Sequence, residues 1–241
     1  YDSPTPNSNA ATLNFGEILQ RYNDTVGSSH RSPTTQNNIR TLIKDLGHLT
    51  LEQVEPKSVA KWRDDKLSKI KSASVNRLIG TLGSVINHAR KEWQLPINNP
   101  IPNIKRPQSA LARSRRLNDD EEQKLINGLP PHYARVVRFA IATGMRRGEI
   151  LNLEWPCIDI QKRTAHLLIT KNGHGRTVPL STGALLALAD AAGSTTYPTS
   201  GRVFDIHPVA LDKAWRRACA KQGIVGLRFH DLRREAISRF L

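Results

Sequence analysis

Apolar side chains recur at intervals of three and four residues along the first 95 positions of the chain. This spacing places them on one face of an α-helix. It predicts four helices, at about 11–29, 33–46, 56–70 and 72–93. No stretch of this half alternates like a β-strand, so we predict a small helical domain over residues 11–95. Residues 1–10 lack the pattern and are polar and proline-rich, which predicts a loose tail.

The hydrophobic period changes twice in the second half. A helix is predicted to start at Asn118 or Asp119, and more follow at 133–142 and 146–153. Short strands come next, at 157–160, 164–170 and 176–180, and Asn172-Gly173 is a hairpin turn signal between the last two. Helical spacing returns at 181–191, 208–222 and 230–241. The predicted fold is mainly α with a small antiparallel β-sheet, and residues 117–241 form its second domain.

Residues 96–116 separate the two predicted domains. Prolines at four positions of this segment argue against regular structure. The segment carries five positive charges and no acid: Lys105, Arg106, Arg113, Arg115 and Arg116. One interpretation is a solvated connector. We favour a second, in which this basic linker follows a phosphate backbone between two domains clamped on DNA, because prolines keep it extended and its charges have no acidic partner nearby in the sequence.

Charge narrows the possible partners. Lysine and arginine number 36 against 21 acids, and the formal net charge is +15. Such an excess indicates a polyanionic partner, with nucleic acid first and an anionic membrane surface second. No run approaches the roughly 20 apolar residues of a membrane span. The first ten residues do not resemble a signal peptide, although the chain starts at Tyr1 and sequence can be missing upstream.

Cysteine and acid usage argue against a disulfide scaffold and against a metal site. The two cysteines, Cys157 and Cys219, form no CxxC motif, and the eight histidines are not paired with cysteines. No carboxylate cluster suited to a metal ion is visible. We therefore expect no metal and no cofactor, and a reducing, cytoplasmic compartment.

One candidate anion site centres on Arg146. In the predicted helix this arginine shares a partly apolar face with Glu149, and a buried guanidinium needs an anionic partner. Either Glu149 supplies that partner in a structural ion pair, or the arginine binds an anionic ligand. Arg147 is the alternative anion binder, and periodicity separates the two arginines only weakly.

Two further clusters carry chemistry. Lys171 stands at the entry of the predicted hairpin turn, where a lysine is either solvated or a mobile proton donor. His230 and Arg233 are neighbours on one helix face, and apolar residues around Arg233 predict its partial burial. That pair is either structural or aimed at a shared anion. Together, two arginines, a histidine and a reachable lysine suit metal-free phosphoryl transfer.

The three clusters resemble the motifs of one family. Ala-Thr-Gly-Met-Arg-Arg-Gly-Glu-Ile at 142–150 is similar to the first-arginine box of tyrosine recombinases, also called the phage integrase family. Thr-Lys-Asn-Gly at 170–173, followed by Arg-Thr-Val-Pro-Leu at 176–180, resembles its β-hairpin lysine. His-Asp-Leu-Arg at 230–233 resembles its His-x-x-Arg box. The likeness extends over about 11–241, with a core-binding domain ahead of a catalytic domain.

The resemblance implies a role for each matched residue. Arg146 and Arg233 would hold the scissile phosphate, with Glu149 orienting Arg146. Lys171 would be the general acid to the 5′ oxygen, and His230 would assist proton transfer. The implied partner is a double-stranded DNA recombination site, clamped by a homo-tetramer on two duplexes. We predict further DNA contacts from Arg147, Arg176 and the basic residues of the linker. Residues 229–241 are similar in particular to shufflon-type DNA invertases.

The same resemblance implies a nucleophile that the sequence does not contain. The family's tyrosine follows the His-x-x-Arg box, attacks the phosphate and forms a 3′-phosphotyrosyl link. All four tyrosines precede that box: Tyr1, Tyr22, Tyr133 and Tyr197. As written, the chain is expected to bind and distort DNA without cleaving it in cis. The explanations left open are a segment that was cut away or lost naturally, and a tyrosine donated by another protomer.

Other functions stay open at this point. A truncated, inactive recombinase that occupies DNA sites shares every feature noted above. A type IB topoisomerase-like enzyme uses a similar set of residues without assembling a tetramer. A helix-turn-helix regulator would require the ordered motifs to be a coincidence. Arg234 also departs from the family, which often has a second histidine at that position.

Overall fold

The computed structural model describes residues 14–27, 33–111, 113–168, 175–194 and 196–239. The chain divides into two compact units between residues 112 and 113. The first unit is helical, and the second combines helices with one small sheet. The predicted fold class is therefore confirmed.

The first unit contains four helices close to the predicted positions: α1 (Phe15–Thr25), α2 (Pro33–Leu46), α3 (Pro56–Leu67) and α4 (Ser72–Glu92). The longest, α4, buries apolar side chains along its length and packs against each of the other three. Its residues Leu82, Val85 and Ile86 are fully buried in the core of this unit. The spacing of three and four residues thus predicts both the helix and the face it buries.

Two glycines let the start of α1 approach the end of α2. The backbone N–H of Gly16 donates to the carbonyl of Gly47 at 3.0 Å, and that of Phe15 donates to the carbonyl of Leu49 at 2.9 Å. A β-carbon on Gly16 would lie 2.8 Å from the carbonyl oxygen of Gly47. The backbones therefore come close enough to exclude a side chain at this crossing.

The segment after α4 is more ordered than the sequence predicts. Ile101–Asn103 form a 3-10 turn, although the prolines argued against regular structure. Pro102 fits because a proline in the first turn gives up no hydrogen bond. Ile97 and Ile104 are buried in the core of the first unit. Apolar burial therefore holds the first part of the predicted linker in that unit.

The second unit follows the predicted order of elements. Its helices are α5 (Asp119–Gly128), α6 (Pro131–Thr143), α7 (Arg147–Leu151), α8 (Thr182–Ala192), α9 (Pro208–Lys221) and α10 (Phe229–Arg239). Its strands are β1 (Ile158–Asp159), β2 (Thr164–Leu167) and β3 (Arg176–Pro179). They pair antiparallel in the order β1-β2-β3, with Ala165 opposite both Ile158 and Val178. The predicted turn at 172–173 lies outside the described residues.

Helix α6 is the centre of the second unit. It packs against α8 and α10, and its Val137, Phe139 and Ala140 are buried. It ends at Gly144, whose left-handed φ of 61° reverses the chain. A β-carbon on Gly144 would lie 3.3 Å from that of Ala236 on α10. The end of α6, the start of α7 and the first turns of α10 are thereby brought together.

Membrane spans and metal centres are both missing from the part of the chain that the structure describes. None of the helices there has the length and apolar character of a membrane span. No group of three or more His, Cys, Asp or Glu side chains there is arranged to hold a metal ion.

We predict that Gly16→Ala destabilises the first unit by about 1–3 kcal/mol, since the added methyl group forces the backbones of α1 and α2 apart. Hydrogen exchange of α1 and α4 amides should accelerate. Gly80→Ala is the control, because a β-carbon there has no neighbour within 4 Å and α4 tolerates alanine well. Unchanged exchange in Gly16→Ala would contradict the close-packing argument.

Candidate active site: an arginine cluster

Arg146 does not lie on the helix that the sequence predicts. It is the N-cap of α7, with an extended backbone at φ −71° and ψ 146°. Its partner Glu149 is the third residue of α7 and reaches back, accepting the N–H of Arg146 at 2.8 Å. The carboxylate also accepts from the Arg146 guanidinium at 2.8 Å. The two side chains are partners because a glutamate at this position caps the helix start, rather than because they share a helix face.

Glu149 holds a second arginine. Its carboxylate also accepts from Nη2 of Arg176, the first residue of β3, at 2.7 Å. Burial alone would raise the pKa of Glu149, yet the hydrogen bonds from Arg146 and Arg176 lower it below its ordinary value. The carboxylate is therefore ionised and fixes both guanidinium groups.

Arg233 of α10 completes the cluster from the other side. Its guanidinium donates to the carbonyl of Gly144, just ahead of Arg146, and the residue is half-buried as predicted. Burial lowers the pKa of Arg233, and repulsion from Arg146 and Arg176 lowers it further, against the opposing pull of Glu149. Its positive charge thus lacks full compensation within the protein.

The arrangement is suited to binding an anion. Two guanidinium groups bind one carboxylate, and a third, that of Arg233, lies close enough to interact electrostatically with all of them. The side chains of Arg146 and Arg176 remain more than one-third exposed. Planar guanidinium groups bind phosphate oxygens through paired hydrogen bonds. Such donors, fixed before a ligand arrives, stabilise the charge that develops on a phosphate during transfer.

The other residues predicted to bind the anion or to transfer protons are His230, Lys171 and Arg147, and the structure does not place them all at the cluster. His230 is exposed near the start of α10, one turn before Arg233 and on the same side of the helix. Lys171 lies outside the described residues. Arg147, the alternative anion binder, pairs with Asp212 of α9.

The predicted DNA-contacting residues divide between the two units. Lys105 and Arg106 are exposed in the first unit. The linker arginines of the second unit have acidic partners, whereas the sequence interpretation expected none nearby. Arg113 pairs with Asp231 at 3.3 Å and Arg116 with Glu235 at 3.2 Å, and Arg115 pairs with Glu121. The expectation was wrong because these acids follow the linker by up to 119 residues in the sequence.

Sequence reasoning assigned Arg176 to DNA contact and missed its place beside Arg146. A signal was present, since side chains two residues apart in a strand share a face and Val178 is buried. No sequence pattern indicated that the backbone carbonyl of Gly144 would accept a hydrogen bond from Arg233. Backbone groups have no residue type that marks them as partners of an arginine.

Comparison with known proteins identifies the family of the chain. The phage integrase family profile matches residues 115–241, and the profile of the phage integrase N-terminal domain matches 13–108. The chain belongs to the phage integrase family. The range matched by the first profile includes Arg146, Glu149, Arg176 and Arg233.

Individual relatives agree with this assignment. The shufflon-specific DNA recombinase of Escherichia coli is 33% identical over 98% of this chain, which spans 64% of that protein's length. The integrase of Salmonella phage P22 is 34% identical over 62% of this chain and 42% of its own. The predicted likeness to shufflon recombinases is confirmed.

Solved structures share the fold. A lambda integrase dimer bound to a COC′ core site matches with a TM-score of 0.74 and 19% identity, over 93% of this chain and 69% of that one. A lambda integrase tetramer bound to a Holliday junction matches with a TM-score of 0.76 and 18% identity, over 95% and 73%. At these identities the likeness supports the two-domain fold and not the details of the site.

We predict that Glu149→Gln lowers the free energy of unfolding at pH 7 by about 1–3 kcal/mol, because two guanidinium groups lose a charged acceptor. The folded state depresses the pKa of Glu149, so this stabilisation is complete above the carboxyl's ordinary value of 4.5 and is lost as pH falls through the folded value. Urea unfolding of both proteins from pH 7 to pH 3 should show the difference shrinking toward the acid end. A difference that does not change with pH would mean that the charge of Glu149 is not what stabilises the site.

Proposed function

We propose that this chain is the DNA-binding and phosphate-activating part of a site-specific tyrosine recombinase. The observation that carries the proposal is the pairing of Arg146 and Arg176 with Glu149 within the electrostatic reach of a third arginine, Arg233. A phosphodiester carries the charge that this cluster lacks, and the net charge of +15 suits a DNA partner.

Each residue then has a chemical role. Arg146 and Arg233 bind the non-bridging oxygens of the scissile phosphate and stabilise charge in the transition state. Arg176 shares Glu149 with Arg146, so it adds positive charge beside the same phosphate. His230 exchanges protons near neutral pH. Lys171 protonates the departing 5′ oxygen from the hairpin between β2 and β3.

The covalent step needs a tyrosine, which in this family follows the His-x-x-Arg box. Its hydroxyl would attack the phosphorus as the 5′ oxygen leaves with a proton, forming a 3′-phosphotyrosyl bond. A 5′ hydroxyl of a partner strand would reverse the step, so no external energy source is required. Of the tyrosines present, Tyr22 is buried in the first unit, and Tyr133 and Tyr197 pack on the core of the second. We therefore propose a nucleophile from outside the 241 residues, in the same chain or in another protomer.

The natural assembly follows from the same proposal. A lambda integrase tetramer has been solved on a Holliday junction, and the fold here is similar to it. We propose a homo-tetramer that joins two recombination sites in the cytoplasm of a bacterium. The resemblance to a shufflon-specific recombinase favours DNA inversion among the possible outcomes of recombination.

We predict a steep salt dependence of DNA binding, because each phosphate contact releases condensed counterions. The slope of log K against log salt should correspond to about 0.9 for each contact, and Lys105→Gln with Arg106→Gln should reduce it by about 1–2 in fluorescence anisotropy. Lys162→Gln is the control, since Lys162 pairs with Asp159 at the end of the sheet away from the β2–β3 hairpin. A flat salt dependence of the wild-type chain would exclude the proposed clamp on DNA.

We predict that Arg233→Ala lowers covalent adduct formation by the complete gene product at least about 100-fold, the usual loss when one charge-stabilising donor is removed. Affinity for the duplex should change far less. The assay traps the adduct on a nicked duplex that carries candidate sites and separates it on a denaturing gel. Arg233→Lys is the matched variant, which keeps the charge and loses the paired hydrogen bonds.

The same assay tests the competing function. No adduct with the wild-type gene product, despite tight and salt-sensitive binding, would favour a protein that occupies sites without cleaving them. Equal loss of binding and of adduct in Arg233→Ala would make Arg233 mainly structural. Peptide mapping of a trapped adduct identifies the tyrosine and decides whether the same chain or a partner supplies it.

A further inference from the structure

Helix α10 contains two acids whose burial needs an explanation. Among the described residues, the polar or charged side chains that are fully buried are Asp231, 2% exposed, and Glu235, 5% exposed. A buried carboxylate costs several kcal/mol unless charged partners and hydrogen bonds compensate it. Neither acid belongs to the arginine cluster described above.

Each acid has one partner within α10, Arg234 for Asp231 and Arg239 for Glu235. Each has another in the first four residues of the second unit, 113–116, here called the strap. Arg113 lies 3.3 Å from Asp231, and Arg116 lies 3.2 Å from Glu235. Arg234 of α10 adds a third connection by donating to the backbone carbonyl of Arg113. Two buried carboxylates and a backbone hydrogen bond thus fix the strap along α10.

The two attachments lie on the side of α10 away from the phosphate site. Successive residues of an α-helix are about 100° apart, so Asp231 and Glu235 share one side and Arg233 lies about 200° from each. The strap therefore holds one side of the helix, while Arg233 on the other side donates to Gly144. A rotation of α10 about its axis would break contacts on both sides at once.

We propose that Arg113 and Arg116, paired with Asp231 and Glu235, are positioning residues that set the rotation of α10 and so the aim of Arg233 at the phosphate. The inference rests on the proposed function and gives these two arginines a task that does not require contact with DNA. The strap is the first segment of the second unit, so its contacts with α10 lie within that unit.

The strap contains its own control. Arg115 pairs with Glu121 of α5 instead of with α10, and Arg115→Gln removes the same single charge as Arg113→Gln or Arg116→Gln. Arg116 is 57% exposed, so its replacement should leave the unit folded. Circular dichroism and the thermal midpoint check that each variant is folded.

The experiment titrates inorganic phosphate into the 241-residue chain and follows the arginine Nε–H signals by NMR. The signal of Arg233 is identified by its loss in Arg233→Lys. Arg113→Gln and Arg116→Gln should shift this signal in the free protein and weaken phosphate binding about threefold to tenfold, as expected for coupling through a packed network. Arg115→Gln should match the wild type, and Arg116→Lys, which keeps the positive charge beside Glu235, should retain more of the binding than Arg116→Gln does.

The possible failures are distinct. If the wild type binds phosphate at Arg233 and all three glutamine variants bind it equally, the positioning role is wrong and the phosphate site stands. A lower thermal midpoint with an unchanged Arg233 signal also rules out the positioning role, because the pairs then only stabilise the fold. If the wild type shows no response to phosphate beyond that to chloride at equal ionic strength, the proposed function fails and the inference fails with it.

Discussion

The site depends on one carboxylate. Glu149 accepts hydrogen bonds from the backbone and side chain of Arg146 and from the side chain of Arg176. It therefore joins the start of α7 to the first residue of β3 and allows two guanidinium groups to remain close together. Without that charge, Arg146, Arg176 and Arg233 would repel one another across a half-buried space. The cluster is thus held in place by a group that is not expected to touch the ligand.

The cluster contains one acid and three arginines, so its net charge is positive. This surplus charge is what suits the site to an anionic ligand. A fully compensated cluster would be a structural ion pair, the interpretation that the sequence favours for an isolated Arg–Glu pair. Among the described residues, Arg233 donates to a backbone carbonyl, and the repulsion from two neighbouring cations acts against the attraction of Glu149, which is consistent with the proposed binding of a phosphate. A phosphodiester would supply the missing negative charge. Binding DNA would therefore offset the repulsion among the arginines that is present in the free protein.

The sequence predicted most of the helices because their apolar spacing records which faces are buried, as α4 shows. It predicted Arg146 and Arg233 through motifs and Glu149 through its distance from Arg146. It failed where partners are distant in the chain, since no local pattern connects Arg113 to Asp231 or Arg116 to Glu235. It also placed Arg146 as the first residue of a helix, whereas Arg146 is the N-cap of α7, because periodicity does not fix the residue at which a helix begins.

The positive charges of the second unit fall into two groups with different physical tasks. In the cluster, Arg146 and Arg176 share one carboxylate and a surplus charge remains for a ligand, whereas each arginine of the strap pairs with a different acid. Counting basic residues cannot separate the groups, because both raise the net charge equally. What separates them is the burial of the partner. Asp231 and Glu235 are buried, so releasing Arg113 and Arg116 to DNA would take away one of the two arginines that pair with each acid. The strap is therefore better suited to holding α10 than to contacting a phosphate backbone.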